Sequence, residues 1–250
     1  MEKDRPPRTE ISKLGEFGLI EHLTRRFPLE NESSVKGVGD DAAVIDNGRY
    51  LTVVSTDLLL EGIHFDLMYT PLKHLGYKAV VVNLSDIYAM NALPRQITVS
   101  IGVSNRFSVE ALDELYAGVE AACRRYGVDL VGGDTSSSNK GLIISVTAIG
   151  QGVRERLTYR NTAKVGDLIC ITGDVGAAYL GLQILEREKQ IYLEHPEVQP
   201  DLEEQAYLIG RQLKPEARKD MIEQFDRANL VPTAMIDVSD GVASDLLHIC

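Results

Sequence analysis

Apolar and polar residues follow two periods along this chain, which predict strands and helices in turn. Runs that are β-rich or alternate with period two predict strands at residues 50–55, 96–103, 128–131, 141–150 and 167–172. Helical spacing predicts helices at residues 15–27, 71–90, 108–126, 173–185 and beyond 241, with two more between 201 and 229 that divide at Pro215. This alternation predicts an α/β or α+β fold.

Residues 71–90 have two interpretations. Three consecutive valines at 80–82 favour a strand, whereas Leu75 and Ala79 belong to a helical pattern of apolar residues. We predict a helix because no turn residue interrupts the segment before Asn91.

The sequence Gly-Val-Gly-Asp-Asp-Ala-Ala-Val at residues 37–44 places Asp40 and Asp41 between a glycine turn and an apolar run. Two like charges repel by about 4 kcal/mol at a separation of about 4 Å and an effective dielectric constant of about 20. If other carboxylates converge on this place, cations are needed to hold them together.

Other aspartates share one context, the end of an apolar segment with Gly, Ser or Thr beside them. They are Asp57, Asp86, Asp134, Asp237 and Asp240. Oxygen ligands of this kind suit Mg²⁺, which usually also binds substrate phosphates. Asp86 falls in an otherwise apolar helix, where a lone buried charge is costly. Turns and helix caps use the same residue types, so the pattern alone leaves both a multi-metal phosphate site and a set of turn residues open.

Composition narrows the classes of function. The 250 residues, 44% of them hydrophobic, suffice for one large domain or two smaller ones. A formal net charge of −11 argues against nucleic acid as the main partner. Cys123, Cys170 and Cys250 are far apart and predict reduced thiols in a cytoplasmic protein. The N-terminus lacks the apolar core of a signal peptide, and no apolar run is long enough to span a membrane.

Other nucleotide-binding patterns are weak. There is no Gly-Lys-Ser/Thr P-loop, and we interpret the Gly-x-Gly-x-x-Ala spacing at 37–42 as accidental because no strand precedes it. Gly-x-x-Gly at 173–176 fits either phosphate binding or a plain turn. The basic residues between 154 and 164 fit either a solvated loop or phosphate contacts, and His64 by itself is more typical of packing.

Taken together, these motifs resemble the thiamine-monophosphate kinase family, in the superfamily named after aminoimidazole ribonucleotide synthetase. They occur in the family's order and cover nearly the whole chain. The matching segments are Gly-Glu-Phe-Gly-Leu-Ile (15–20), Gly-Asp-Asp-Ala-Ala-Val (39–44), Ser-Thr-Asp-Leu-Leu-Leu-Glu-Gly-Ile-His-Phe (55–65), Tyr-Lys-Ala-Val-Val-Val-Asn-Leu-Ser-Asp-Ile-Tyr-Ala-Met-Asn-Ala (77–92), Gly-Gly-Asp-Thr (132–135), Leu-Thr-Tyr-Arg (157–160), Val-Gly-Asp (165–167) and Ile-Asp-Val-Ser-Asp-Gly (236–241).

The resemblance implies a two-domain fold with a mixed sheet and helices. Residues 1–152 would form an N-terminal domain that binds ATP and Mg²⁺ and makes the contact of a homodimer, and residues 153–250 a partial C-terminal domain. The implied reaction is direct in-line transfer of the γ-phosphoryl group of ATP to thiamine monophosphate, which gives thiamine diphosphate and ADP.

The resemblance also implies roles for single residues. The implied Mg²⁺ ligands are Asp41, Ser55, Thr56, Asp57, Asp86, Asp134, Asp237 and Asp240. The implied ATP contacts are Tyr116, Gly133, Asp134, Arg160 and Ser239. His64 matches a substrate-contacting position, and the implied catalytic residues are Asp41, Asp57, Asp134 and Arg160. Asp40 is interpreted as a turn or supporting residue.

One departure affects the expected activity. Family members continue past the Asp-x-Ser-Asp-Gly segment with residues that help to hold thiamine, whereas this sequence stops at Cys250. We therefore expect an incomplete C-terminal domain and little or no kinase activity from the 250 residues alone. Alternative functions are another member of the superfamily, such as a hydrogenase maturation factor or aminoimidazole ribonucleotide synthetase, and a non-catalytic Mg-nucleotide-binding protein.

Overall fold

The computed structural model of the chain describes residues 13–198, 200 and 202–249. The N-terminal segment that lacks a signal-peptide core, Asp201 of the predicted helical segment, and Cys250 lie outside the described residues. Cys123 and Cys170 are free thiols. In the described part of the chain, no helix is both long and apolar enough to cross a membrane.

Helices and strands alternate through most of the described chain, which confirms the predicted α/β class. The helices are α1 (Gly15–Thr24), α2 (Leu72–Ala89), α3 (Val109–Tyr126), α4 (Ala177–Glu194), α5 (Ala206–Leu213), α6 (Lys219–Arg227) and α7 (Val242–Leu247). The strands are β1 (Ser34–Lys36), β2 (Ala43–Asp46), β3 (Leu51–Leu60), β4 (Leu93–Val103), β5 (Asp129–Ser137) and β6 (Ile143–Gly152). Residues 71–90 are therefore helical, as predicted.

The six strands of the described residues form one mixed sheet in the order β1-β2-β3-β6-β4-β5. The pair β4 and β5 is parallel and is connected through α3, whereas every other neighbouring pair is antiparallel. Parallel neighbours need a long crossover connection, which α3 supplies. Strands β3 and β6 lie next to each other near the centre of the sheet and pair from Leu51 opposite Gly152 to Leu60 opposite Ile143.

The main core lies between the sheet and helix α2, which packs in turn on α3. On α2, Leu75, Leu84 and Ile87 have no exposed surface. The helix is buried on most of its circumference because it touches the sheet on one side and α3 on the other. Polar residues on α2 therefore need partners, and these residues form much of the candidate site.

Two glycines set the distance between α2 and α3. A Cβ atom on Gly76 would lie 1.9 Å from the carbonyl oxygen of Leu115, and one on Gly118 would lie 1.9 Å from that of Lys73. The two backbones can approach this closely only because neither position carries a side chain.

Two predicted strands are longer than expected. The strand predicted at 50–55 continues to Leu60 because β6 pairs with it along its whole length. The strand predicted at 128–131 continues through Gly-Gly-Asp-Thr to Ser137 beside β4. Asp57 and Asp134 therefore lie within strands and not at strand ends, which corrects the sequence-based placement. Strands β1 and β2 had not been predicted.

The strand predicted at 167–172 is absent from the structure. Leu168, Ile169 and Ile171 are instead 90%, 67% and 51% exposed. A strand forms only where a neighbour accepts and donates its backbone hydrogen bonds, and no strand among the described residues lies beside this segment.

We predict that Gly118→Ala destabilises the protein by about 3 kcal/mol, because the added methyl group collides with backbone atoms of α2 that cannot rotate away. The free energy of unfolding from urea denaturation measures this effect. Gly210→Ala on α5 is the matched control, since its Cβ would meet nothing within 4 Å. An equal effect of the two substitutions would contradict close packing of α2 on α3.

Candidate active site

Four acidic side chains from distant parts of the sequence converge beside helix α2. Asp57 comes from β3, Asp86 from α2, Asp41 from the loop before β2, and Asp237 from the segment before α7. The charges of the other three all act on Asp86 and raise its pKa. We call these four residues the carboxylate cluster. The structure thus brings together four of the predicted metal ligands.

Burial makes every carboxylate in the cluster hard to ionise. Desolvation is the largest cause in each case, and it raises the pKa of Asp86 to about 9 and that of Asp41 to about 7. Desolvation likewise raises the pKa of Asp57 and Asp237. Fully ionised, the cluster would be unstable without a cation.

Among the described residues, Arg160 supplies the positive charge that forms an ion pair with the cluster. Its Nη2 donates to Oδ1 of Asp41 at 2.5 Å, and its backbone N–H donates to Oδ1 of Asp40 at 3.3 Å. The Asp41 side chain is only 4% exposed. Asp40 also accepts from the backbone N–H of Asp41 and pairs with Lys36 at 3.4 Å. Asp40 therefore helps to position Arg160 and the backbone of Asp41.

Asn83 holds Asp57 in place, a role that the motif comparison had not assigned. The Asn83 side chain has no exposed surface, and its Oδ1 accepts from the backbone N–H of Asp57 at 2.9 Å. Its Nδ2 donates to the carbonyl of Ala79 at 2.9 Å. A polar residue on the apolar α2, three positions before Asp86, is the sequence signal that could have found it.

Two serines join the cluster by hydrogen bonds. Ser55 donates to Asp86, and Ser85 hydrogen-bonds to Asp237. Thr56 behaves differently because side chains alternate along a strand and its own points to the opposite face of the sheet. There it donates to the carbonyl of Val146 and accepts from Thr147. The side chain of Thr56 is therefore not brought to the cluster.

Asp245 was also missed by sequence reasoning, and it shapes the loop that carries Asp237. It is 3% exposed, and its Oδ2 accepts from the backbone N–H groups of Ser239 and Gly241, at 3.1 Å each. Asp240 in the same loop is exposed. Nothing in the sequence around Asp245 indicates that its side chain accepts from the backbone of Ser239 and Gly241.

The predicted ATP contacts fall in two places. Tyr116, Gly133 and Asp134 line a shallow pocket of about 310 Å³ over β4 and β5. Gly133 allows these strands to pair closely, since a Cβ there would lie 1.8 Å from the carbonyl oxygen of Val99. Arg160 and Ser239 lie instead in the segments that carry the contacts of Asp41 and Asp245.

His64 lines a third place, a cavity of about 450 Å³ between the β3–α2 connection and helices α4 and α5. Its Nδ1 accepts from the backbone N–H of Leu60 at 3.0 Å. The charge of His64 also acts on Asp57 and lowers its pKa, against the larger effect of burial. The cavity is therefore electrostatically linked to the carboxylate cluster.

The cluster suits a hard divalent cation. Oδ2 of Asp41 is buried and has no hydrogen-bond partner in the part of the chain that the structure describes. Carboxylate and hydroxyl oxygens are the ligands that Mg²⁺ prefers. Within the described ranges, no three His, Cys, Asp or Glu side chains are close enough together to hold one metal ion by themselves. Such a site would be completed by water and phosphate oxygens, which is usual for Mg²⁺.

Comparison with known proteins places this chain first in a broad group of related proteins and then in one family. Residues 39–151 match the family described as AIR synthase related protein, N-terminal domain. The chain is 35% identical over 240 residues to thiamine-monophosphate kinase of Bacillus subtilis, covering 94% of this chain and 70% of the relative. It is 34% identical over 239 residues to the Aquifex aeolicus protein of the same name, covering 96% and 71%.

A solved structure described as AaThiL complexed with AMPPCP and TMP superimposes with a TM-score of 0.81 at 32% identity. The alignment covers 97% of this chain and 71% of that one. The chain belongs to the thiamine-monophosphate kinase family, which confirms the resemblance drawn from the motifs.

The raised pKa values predict a stability that depends on pH. Without divalent cations, folded Asp41 and Asp86 keep protons that the unfolded chain releases above about pH 4. Their contribution to stability is therefore fully present below about pH 4, and it is lost as the pH rises through about 7 and about 9. Urea denaturation in EDTA between pH 6 and pH 9 measures this loss.

Asp86→Asn should make that pH profile flatter and raise stability near pH 9 by about 1–3 kcal/mol, because the uncharged amide avoids burial of a charge. Asp113→Asn on the exposed side of α3 is the control and should leave the profile unchanged. Added Mg²⁺ should stabilise the original protein more at pH 9 than at pH 6. A profile unaffected by Asp86→Asn would contradict the predicted burial of this carboxylate.

Proposed function

We propose that this protein transfers the γ-phosphoryl group of ATP to the phosphate of thiamine monophosphate, which gives thiamine diphosphate and ADP. One observation carries the proposal: four buried carboxylates and one arginine converge in a chain of this family. When ionised, such a cluster requires cations, and a reaction between two phosphate groups requires neutralisation of negative charge.

We propose Mg²⁺ as the cation, held by Asp41, Asp57, Asp86 and Asp237 with Ser55. The resemblance also implied Thr56, Asp134 and Asp240 as ligands: the Thr56 side chain points away from the cluster, and the roles of Asp134 and Asp240 stay predictions. When bound, Mg²⁺ would neutralise phosphate oxygens. The protein's own part is positioning: Asn83 fixes the backbone of Asp57, and Asp245 fixes the loop of Asp237 and Ser239.

In this proposal Arg160 can bind either Asp41 or the phosphate oxygens of the substrates. In the structure it neutralises Asp41 at 2.5 Å. A cation at Asp41 would release the guanidinium to bind phosphate oxygens, for which its planar donor set is well suited. Arg160 would then stabilise the charge that is shared between donor and acceptor phosphates.

The transfer needs no nucleophile from the protein. An oxygen of the acceptor phosphate, ionised at neutral pH, forms a bond to the γ-phosphorus while the bond from that phosphorus to the bridging oxygen of ADP breaks. Aligning the two phosphates is the main catalytic task, since transition states of this kind involve little covalent chemistry by the enzyme. We place the acceptor at the His64 cavity, whose size suits a small molecule.

We further propose the domain division at 152/153, a cytoplasmic location and a homodimer formed by the N-terminal domain. The sheet supports the dimer because only one of its faces is covered by α2. On the other face, Leu58 is 52% exposed, and Val54 and Ile149 are half-buried neighbours. An apolar sheet face of this kind is typical of a contact surface.

Asp57→Asn should reduce ADP formation with thiamine monophosphate by at least about a hundredfold, because a charge that positions the reacting phosphates is lost. A coupled ADP assay on a version extended to the family's full length measures turnover, and calorimetric titration with a non-hydrolysable ATP analogue and Mg²⁺ measures binding. The control is Asp113→Asn, which changes an exposed carboxylate. Because little or no activity is expected of the 250 residues alone, the deciding outcome is that of a version extended to the family's full length: nucleotide binding without turnover there would instead support a non-catalytic nucleotide-binding function.

Ile149→Arg should convert the proposed dimer to a monomer, because it places a charge in the uncovered sheet face. Sedimentation velocity gives the mass of each form. Val109→Arg, at a 70% exposed position on α3, should leave the dimer intact. A monomeric original protein, or a dimer that survives Ile149→Arg, would refute this arrangement.

A further inference from the structure

The His64 cavity contains several charged groups, and nearly all of them are already paired. Lys189 forms ion pairs with Asp66 at 2.7 Å and Glu186 at 3.4 Å. The hydroxyl of Tyr69 donates to Glu186 at 2.7 Å. The two carboxylates of the cavity are thus satisfied within the protein and do not call for a cationic ligand.

Lys78 is the exception. It lies on α2 and lines the same cavity. Among the described residues it has neither a hydrogen-bond acceptor nor an ion-pair partner, and burial alone lowers its pKa. Lys78 is half-buried, and an ammonium group that lines a cavity without a partner among the described residues is well placed to bind an anion.

The orientation of His64 adds a second donor. Because Nδ1 accepts from the backbone N–H of Leu60, the neutral imidazole carries its proton on Nε2. This N–H has no acceptor in the described part of the protein.

Of the titratable groups that line the cavity, the two without an acceptor among the described residues, Lys78 and His64, are therefore both donors. We propose that Lys78 is a substrate-binding residue that pairs with the phosphate group of the acceptor, with His64 as the second donor to the same group. This inference rests on the proposed function, since it assigns the phosphate to thiamine monophosphate. An ammonium group near the reacting phosphate would also reduce its repulsion from ATP.

Titration calorimetry with two ligands tests the inference. Thiamine monophosphate and thiamine differ by the phosphate alone, so only the binding of thiamine monophosphate should depend on Lys78. Lys78→Met should weaken thiamine monophosphate binding by about tenfold to a hundredfold and leave thiamine binding unchanged, as expected for loss of a charged hydrogen bond. Lys73→Met is the matched control, on the exposed side of the same helix. Lys78→Gln is a second variant if the methionine disturbs folding.

Each outcome decides a different question. Equal weakening of both ligands, or no weakening of either, in a folded Lys78 variant would overturn the role of Lys78 and leave the proposed function standing. If a version extended to the family's full length binds ATP analogue but neither thiamine compound, the proposed acceptor is wrong and this inference falls with it. Selective loss of thiamine monophosphate binding in Lys78→Met, with normal ATP-analogue binding, is the expected result.

Discussion

Repulsion between buried carboxylates is the constraint on which this structure depends. Asp41, Asp57, Asp86 and Asp237 meet where water is scarce, and burial raises the pKa of each. Folding tolerates this because the groups can hold protons, and because Arg160 neutralises one of them. A protein gains nothing in stability from such a cluster, so its value lies in binding cations and phosphates.

Helix α2 is the framework that connects the separate parts of the site. Its Asn83, Ser85 and Asp86 reach β3 and the segment before α7, and its Lys78 reaches the cavity toward α5. The position of this helix is fixed by its close contact with α3, which Gly76 on α2 and Gly118 on α3 allow because neither has a side chain. The carboxylate cluster and the cavity are therefore both built on one closely packed helix.

Sequence patterns predicted most helices and the long strands, because an element with one buried face and one exposed face shows a clear periodicity of apolar residues. They failed where pairing between distant segments decided the outcome. The strand at 50–55 extends as far as β6 pairs with it, whereas residues 167–172 have a strand-like sequence but no neighbour. The same limit applies to the site: Asn83 lay in a recognised motif, but only its contact with Asp57 reveals its role.

The sequence by itself determined the α/β class, the family and the aspartates at the centre of the site, since these depend on residue types in a fixed order. The Gly-Asp-Asp loop that stood out first contributes Asp41 to the cluster, while Asp40 supports Arg160. Only the tertiary structure decided which side chains meet. It turned Thr56 away from Asp57 by strand alternation, and it left Lys78 unpaired in a cavity. The physical reason is that burial and long-range contacts arise from packing between segments that sequence spacing does not relate.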